Sequence, residues 1–274
     1  MLTQPHFGAV WFDALADGLH TGQPAIPESV RVGTLRLGAE RALLLAVVPD
    51  PQARFPRARS GEVGLEEGWA VADVVRQILQ QDRKVERPRP IVVLVDVPSQ
   101  AYGYVEELAG IHQSLAGAVH ALATARLSGH PVVALVVGQA ISGAFLAIGL
   151  QANRIVVLDH DGVVVQVMSK PSAARITRRS IEELDAMARL VPATAYDGAS
   201  FAALGAVHHT APVERPAQPG LEDILRVRAA VADAVASARQ GPPDLRARLE
   251  SPEALTNREA SIRVRRLVAQ AWNQ

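Results

Sequence analysis

The stretch Val132-VALVVGQAISGAFLAIGLQ-Ala152 decides how this chain is built. Its first six residues, Val132 to Val137, are uniformly apolar and read as a strand covered on both faces. Gly138-Gln139-Ala140-Ile141-Ser142-Gly143-Ala144 then forms a turn of small residues, and Phe145 to Ala152 a helix of small side chains. A backbone that passes this tightly from strand to helix leaves amide N–H groups without partners at the helix N-terminus. Two such donors make an oxyanion hole. Close packing of strand against helix requires the same small residues, so the spacing by itself leaves both readings open.

Outward from this stretch the pattern is α/β. Upstream, Ile91-VVLVD-Val97 is a second buried strand, and Val71, Val74, Val75, Ile78 and Leu79 place a helix over about Leu65 to Gln81. Leu108, Ile111, Leu115, Val119 and Leu122 predict one long helix from Tyr102 to Leu127, ending at Ser128-Gly129. Val32, Leu35 and Leu37 alternate with polar residues, turn at Gly38 to Arg41 and continue as the apolar run Ala42 to Val48, a hairpin feeding a buried strand. Downstream come strands Arg154 to Leu158 and Val163 to Met168. Helices follow over Ser180 to Arg189, opened by a Ser180/Glu183 capping box, over Leu221 to Arg239, and over about Pro252 to Trp272. Residues 1–30 read as an irregular arm with one helical turn near Phe12 to Leu15. Residues 31–274 read as a single domain with a helical extension from about 178.

Composition excludes several functions. The 274 residues are 49% hydrophobic and 4% aromatic, enough for an aliphatic core and too apolar for a disordered chain. Twenty-eight Lys+Arg balance 28 Asp+Glu, so no net field marks a nucleic-acid or anionic-membrane surface. The absence of cysteine removes disulfides, thiol nucleophiles, zinc-cysteine sites and iron-sulfur ligation together. The N-terminus has no basic segment followed by an apolar one, and no run nears the ~20 apolar residues of a membrane span, so the expectation is a soluble, cytoplasmic protein. Zero net charge with a positive mean hydropathy opposes self-association poorly, which predicts a partner subunit.

Candidate chemistry gathers at the small-residue turn. Ser142 invites a nucleophile reading, but the G-x-S-x-G elbow pattern is unmatched, since Ala140 and Ala144 stand where it needs glycine. A helix cap or a hydroxyl donor to substrate is the favoured role. The histidines show no metal spacing: Asp159-His160-Asp161 reads as a tight turn, His208-His209 as an adjacent pair, and His112 and His120 as ordinary, partly buried helix residues. No P-loop or dinucleotide fingerprint occurs. Lysine is restricted to Lys84 and Lys170, and Arg54, Arg57 and Arg59 cluster in the loop after Pro49, as a solvated surface or as a seat for a phosphate-bearing carrier.

Several motifs together carry a family resemblance. Leu94-Val-Asp96-Val-Pro98-Ser99 followed by Tyr104-Val-Glu106-Glu107-Leu-Ala-Gly110-Ile111 resembles the D-x-P-G … E … G-I stretch of biotin-dependent carboxyltransferases. It continues through His130-Pro131 to Gly138, the Ser142-Gly143-Ala144 turn and Val167-Met168 to Ile176. The implied architecture is the crotonase-like (ClpP/crotonase) fold of stacked ββα units with C-terminal helices. The chain as a whole most closely resembles the gamma subunits of biotin-independent malonate decarboxylases.

That resemblance implies a beta subunit as partner, forming with it a carboxyltransferase-like pair. It also implies a malonyl thioester carried on the CoA-derived prosthetic group of an acyl carrier protein subunit, an alpha (transferase) subunit, no biotin and no tightly bound cofactor or metal. Decarboxylation of malonyl-S-acyl carrier protein to the acetyl thioester and CO2 then needs the enolate oxygen held by backbone amides, either those of Gly143 and Ala144 with Ser142 beside them or a hole in the beta subunit. Ser99, Gln100, Tyr102 and Gln139 are the expected substrate-binding residues. Tyr102, Tyr104 or Ser142 could pass the proton. Two positions depart from the carboxyltransferase pattern: Pro-Gly has become Pro98-Ser99, and the usual first glycine of the turn is Ser142. The rivals are a biotin-using carboxyltransferase half, a non-catalytic scaffold subunit, and a ClpP-type serine peptidase. The peptidase is disfavoured because Val165-Gln166-Val167-Met168-Ser169, where its histidine belongs, contains none.

Overall fold

A computed structural model describes residues 6–19 and 26–273; residues 1–5 and 20–25 of the N-terminal arm, and residue 274, lie outside the described part. The first half of the chain contains α1 (Gly8–Leu15), β1 (Gly18–Leu19), β2 (Val30–Leu37), β3 (Glu40–Val47), α2 (Leu65–Gln81), β4 (Ile91–Val97), α3 (Tyr104–Leu108) and α4 (Ile111–Leu127). Then come β5 (Val132–Ile141), α5 (Ser142–Ala144) running into a π-helical turn over Phe145–Gly149, β6 (Arg154–Asp159), β7 (Val164–Gln166), α6 (Lys170–Thr177) and α7 (Ile181–Leu190). The chain ends with α8 (Gly198–Ala202), β8 (His209–Pro212), α9 (Leu221–Gln240), α10 (Pro252–Asn257) and α11 (Glu259–Trp272).

Among the described residues one sheet has the order β1-β2-β3-β4-β5-β6-β8. The β1–β2 and β2–β3 pairs are antiparallel and every later pair is parallel. All seven residues of β4 are buried, as the uninterrupted apolar run requires of a central parallel strand. Burying each such aliphatic side chain contributes about 1.5–3 kcal/mol. Helix α2 packs along α4, and α9 packs on β5, β6 and β8.

Strand β5 positions the site. Its first half pairs with β6 through Val133–Val136, while its second half leaves that partner and pairs with β7 through Gln139–Ile141. The β4–β5 register also shifts between Val95 and Val97. Gly138 sits at this parting, and a Cβ there would lie 2.2 Å from Asp96 Oδ1, so the buried Asp96 carboxylate leaves room for glycine alone. That carboxylate accepts from the Gln139 N–H at 2.8 Å, and from the Phe7 and Gly8 N–H groups at 2.5 and 2.9 Å. One charged residue in an apolar strand thus fixes the end of β5 and the start of α1.

The structure changes several expectations. The strand expected over Val132 to Val137 continues to Ile141, so the turn contracts to Ser142, and the following helix is a π turn ending at Gly149. The single helix expected from Tyr102 to Leu127 is two, because Gly110 takes φ +84°, a left-handed value that breaks a right-handed helix. The helix expected over Pro252 to Trp272 is likewise split at Arg258. The turn near Phe12 to Leu15 is a two-turn helix with Trp11, Phe12 and Leu15 fully buried. His112 and His120 are exposed, not partly buried. The strand expected over Val163 to Met168 covers Val164–Gln166, and the segment beyond residue 178 contributes β8 to the sheet as well as helices. The Ser180/Glu183 capping box is present as read.

Candidate functional site

Ser142 stands where β5 becomes helix, with φ +61°. An L-residue in this region carries a local cost of about 1–2 kcal/mol, sustained by a frame that fixes the strand before it and the helix after it. The frame is visible in Asp96 behind Gln139 and in the buried Ala144 and Phe145 ahead. The sequence pattern of a nucleophile elbow is missing, yet the backbone makes an elbow.

The Gly143 N–H, second in this helical turn, donates to Gln100 Oε1 at 2.9 Å. Gln100 is held there by the strand-like bridge of Val63 to Gln100 and by the Ala101 N–H donating to the Val63 carbonyl at 2.8 Å. The sequence-predicted donor Gly143 and binding residue Gln100 therefore meet directly, with Ser142 and Ala144 on either side. The acceptor on this amide is a neutral side-chain carbonyl, weaker than a charged oxygen would be.

The other predicted residues have contacts of their own. The backbone of Gln139 binds Asp96. The Ser99 carbonyl accepts from the Val63 N–H at 3.1 Å. Tyr102 lies under the Arg57 guanidinium, 3.9 Å from ring centroid to Cζ. Arg57 in turn grips Glu62 with two bonds of 2.5 and 2.6 Å, and that carboxylate, with Tyr102, holds the guanidinium firmly in its charged form. Arg59 donates to the Ala53 carbonyl and Arg54 reaches Glu66 at 3.6 Å, so the arginine cluster of this loop is engaged within its own neighbourhood.

Below Ser142 lies a cavity of about 160 Å³ lined by apolar side chains including Phe145, Leu146, Val165 and Val167. None of the described residues lining it is a histidine or a carboxylate, so no base reaches Ser142 from the cavity side. His160 accepts from the Gly162 N–H inside its turn, and His208 pairs with Asp233 at 2.8 Å. Among the described residues no three His, Cys, Asp or Glu side chains are placed to hold a metal. Two features escaped the sequence reading. Asp96 was legible as the charged residue in Ile91–Val97, but its bonding needed the fold, and the cavity draws on residues from 142 to 204 that no local pattern joins.

The sheet with its central strand turning at a helix elbow is shared with proteins of the crotonase-like fold. The transcarboxylase 12S core, 19% identical, superposes with a TM-score of 0.61 over 85% of this chain and 42% of that one, and the beta subunit of P. aeruginosa geranyl-CoA carboxylase, 18% identical, with 0.58 over 86% and 42%. Residues 58–272 match the malonate decarboxylase gamma subunit family, and the chain belongs to it. It is 51% identical to a chain of the Pseudomonas malonate decarboxylase hetero-tetramer solved with coenzyme A, with a TM-score of 0.90 over 98% of this chain and all of that one. Against the Pseudomonas MdcD-MdcE hetero-dimer it is 49% identical, with 0.87 over 97% and 99%. The malonyl-S-ACP:biotin-protein carboxyltransferase MADD of Malonomonas rubra is 39% identical over 182 residues, 64% of this chain; the match spans 62% of that relative's length.

Proposed function

We propose that this chain pairs with a malonate decarboxylase beta subunit and that the pair decarboxylates a malonyl thioester carried on an acyl carrier protein, giving the acetyl thioester and CO2. The contact that carries this reading is the Gly143 amide resting on the displaceable Gln100 carbonyl at the elbow. Loss of CO2 leaves the electron pair of the broken carbon–carbon bond in an enolate, whose oxygen takes the place of Gln100 Oε1, bound by the Gly143 and Ala144 amides. Losing one such donor costs about 3 kcal/mol in acyl-transfer sites. The chemistry needs neither a metal nor a nucleophile, and a serine that no base reaches from the cavity side is consistent with that.

The partner reading is supported by large apolar side chains left in solvent in one copy, among them Tyr104, Leu108, Leu190 and Trp272. Similarity to chains of solved hetero-dimers and hetero-tetramers points the same way. The fuller assembly in this reading includes an alpha transferase subunit and a CoA-derived carrier arm, uses no biotin, and works in the cytoplasm, with residues 31–274 acting as one domain. The test is CO2 release from malonyl-S-acyl carrier protein by the co-expressed pair in the presence of avidin. Release from the pair and from neither chain alone is expected; avidin-sensitive release moves the assignment to a biotin carboxyltransferase half.

A further inference from the structure

The cavity beside the elbow has a chemical character of its own. Ser142, Phe145 and Leu146 line one side, Val165 and Val167 another, and Phe201 belongs to the same wall. Among the described residues no Lys, Arg, His, Asp or Glu lines it. Its two polar residues are unequal. Gln166 is spent within the protein, Nε2 donating to the Ala195 carbonyl at 2.7 Å and Oε1 accepting from the Val167 N–H at 2.7 Å. Among the described residues no hydrogen-bond partner is present for the Ser142 hydroxyl.

A carboxylate moved against these side chains loses part of its hydration and meets no counter-charge, which disfavours the ionised group. A neutral linear molecule meets no such penalty. The volume, about 160 Å³, is several times a water's share of about 30 Å³, enough for either. We propose that this cavity is the leaving-group subsite: it takes the carboxylate end of the malonyl unit and the CO2 that end becomes. The proposal rests on the decarboxylase reading above. In the step, the bond between the carboxylate carbon and the α-carbon breaks, and its electron pair passes to the α-carbon and thioester oxygen as the enolate at the Gly143 amide. Neutral CO2 remains in the cavity, and a proton from water then completes the acetyl group. Charge leaves the apolar space and arrives at the amides, so the two halves of the site act in the same direction.

The test places a fixed positive charge at the wall. Val167 and Leu146 are 57% and 46% exposed, so an arginine at either fits without being buried, and its guanidinium stays charged at working pH. Val167→Arg and Leu146→Arg, with Val167→Met and Leu146→Met as neutral counterparts, are assembled with the beta subunit, checked by gel filtration, and assayed for kcat and KM on malonyl-S-acyl carrier protein. The arginine variants should have a kcat about tenfold or more below that of the methionine variants at the same positions, with KM equal or lower, because a held carboxylate stabilises the ground state. Arginine variants that keep kcat, or methionine variants that fall equally, overturn the proposal. A second measurement uses the wild-type pair alone. Isovaleryl thioester, whose isopropyl group replaces the carboxylate, should compete with a Ki at or below the malonyl KM, and a Ki more than about tenfold above it also overturns the subsite. A wild-type pair that releases no CO2 defeats the decarboxylase reading itself, and the subsite with it.

Discussion

Ser142 and Arg178 are the two non-glycine residues with positive φ among those described, and Ser142 stands at the site. Glycine at 142 would accept φ +61° freely, whereas alanine would keep the strain, so Ser142→Gly should melt as the more stable of the two by about 1 kcal/mol. Equal melting would show that the elbow is not held under strain. The neighbouring Gln100 makes a sharper forecast. Gln100→Glu offers the Gly143 N–H an ionised acceptor, a bond roughly twice as strong, and should raise KM for the malonyl thioester about tenfold. Gln100→Ala removes the competitor and should leave KM level or lower. Steady-state kinetics on the assembled pair read both, and a rise in KM with alanine would make Gln100 a brace of the substrate instead. At this scale the sequence singled out Gly143 and Gln100, which the structure brings together in one hydrogen bond that no local pattern announces. The backbone at Ser142 was not legible, because G-x-S-x-G describes one way of making an elbow, and here the strand parts beside Asp96 without that motif.

Elements were legible where periodicity is strong. Helix α2 and strand β4 fall on the residues that their apolar repeats select. Breaks were less so: a stripe runs through Leu108 and Ile111 across Gly110, and nothing in its period announces a left-handed residue there. The end of β5 was hidden for a different reason, since its pairing with β7 depends on a strand about 25 residues further along. The approach to β4 and β5 supplies a pH forecast. His130 is buried, its Nδ1 donating to the Arg89 carbonyl at 2.9 Å. Burial pulls its pKa below the ordinary histidine value, against the Arg89 carbonyl and the nearby Asp82 carboxylate, which pull it up. A depressed pKa means that the folded chain resists a proton the unfolded chain accepts. The stability it contributes is therefore present above the ordinary histidine value and is lost as pH falls through the lowered one. Melting temperature should drop on going from about pH 7 to about pH 5, and His130→Asn should flatten that drop. Asp82 acts lower on the scale: burial raises its pKa, but the Arg89 bonds outweigh burial and leave it below the usual carboxylate range. An acid titration of the His130→Asn variant as steep as wild type would assign the effect to other groups.

At the scale of the whole molecule, zero net charge and exposed apolar side chains describe a surface made for company. The composition announced this much, but which face meets which partner is a property of surfaces assembled from distant segments, and no sequence period reports it. The central claim is that this chain contributes a donor to the chemistry and does more than hold its partner in place. Gly143→Val tests it, because a Cβ at this position would lie 3.1 Å from Gln100 Oε1, and the side chain beyond it grows into the space in front of the amide. The measurement is CO2 release by the wild-type beta subunit assembled with the Gly143→Val chain, with complex formation followed by gel filtration. The account predicts an intact complex whose kcat is lower by about a hundredfold or more. An intact complex that turns over at the wild-type rate would contradict it and leave this chain a scaffold.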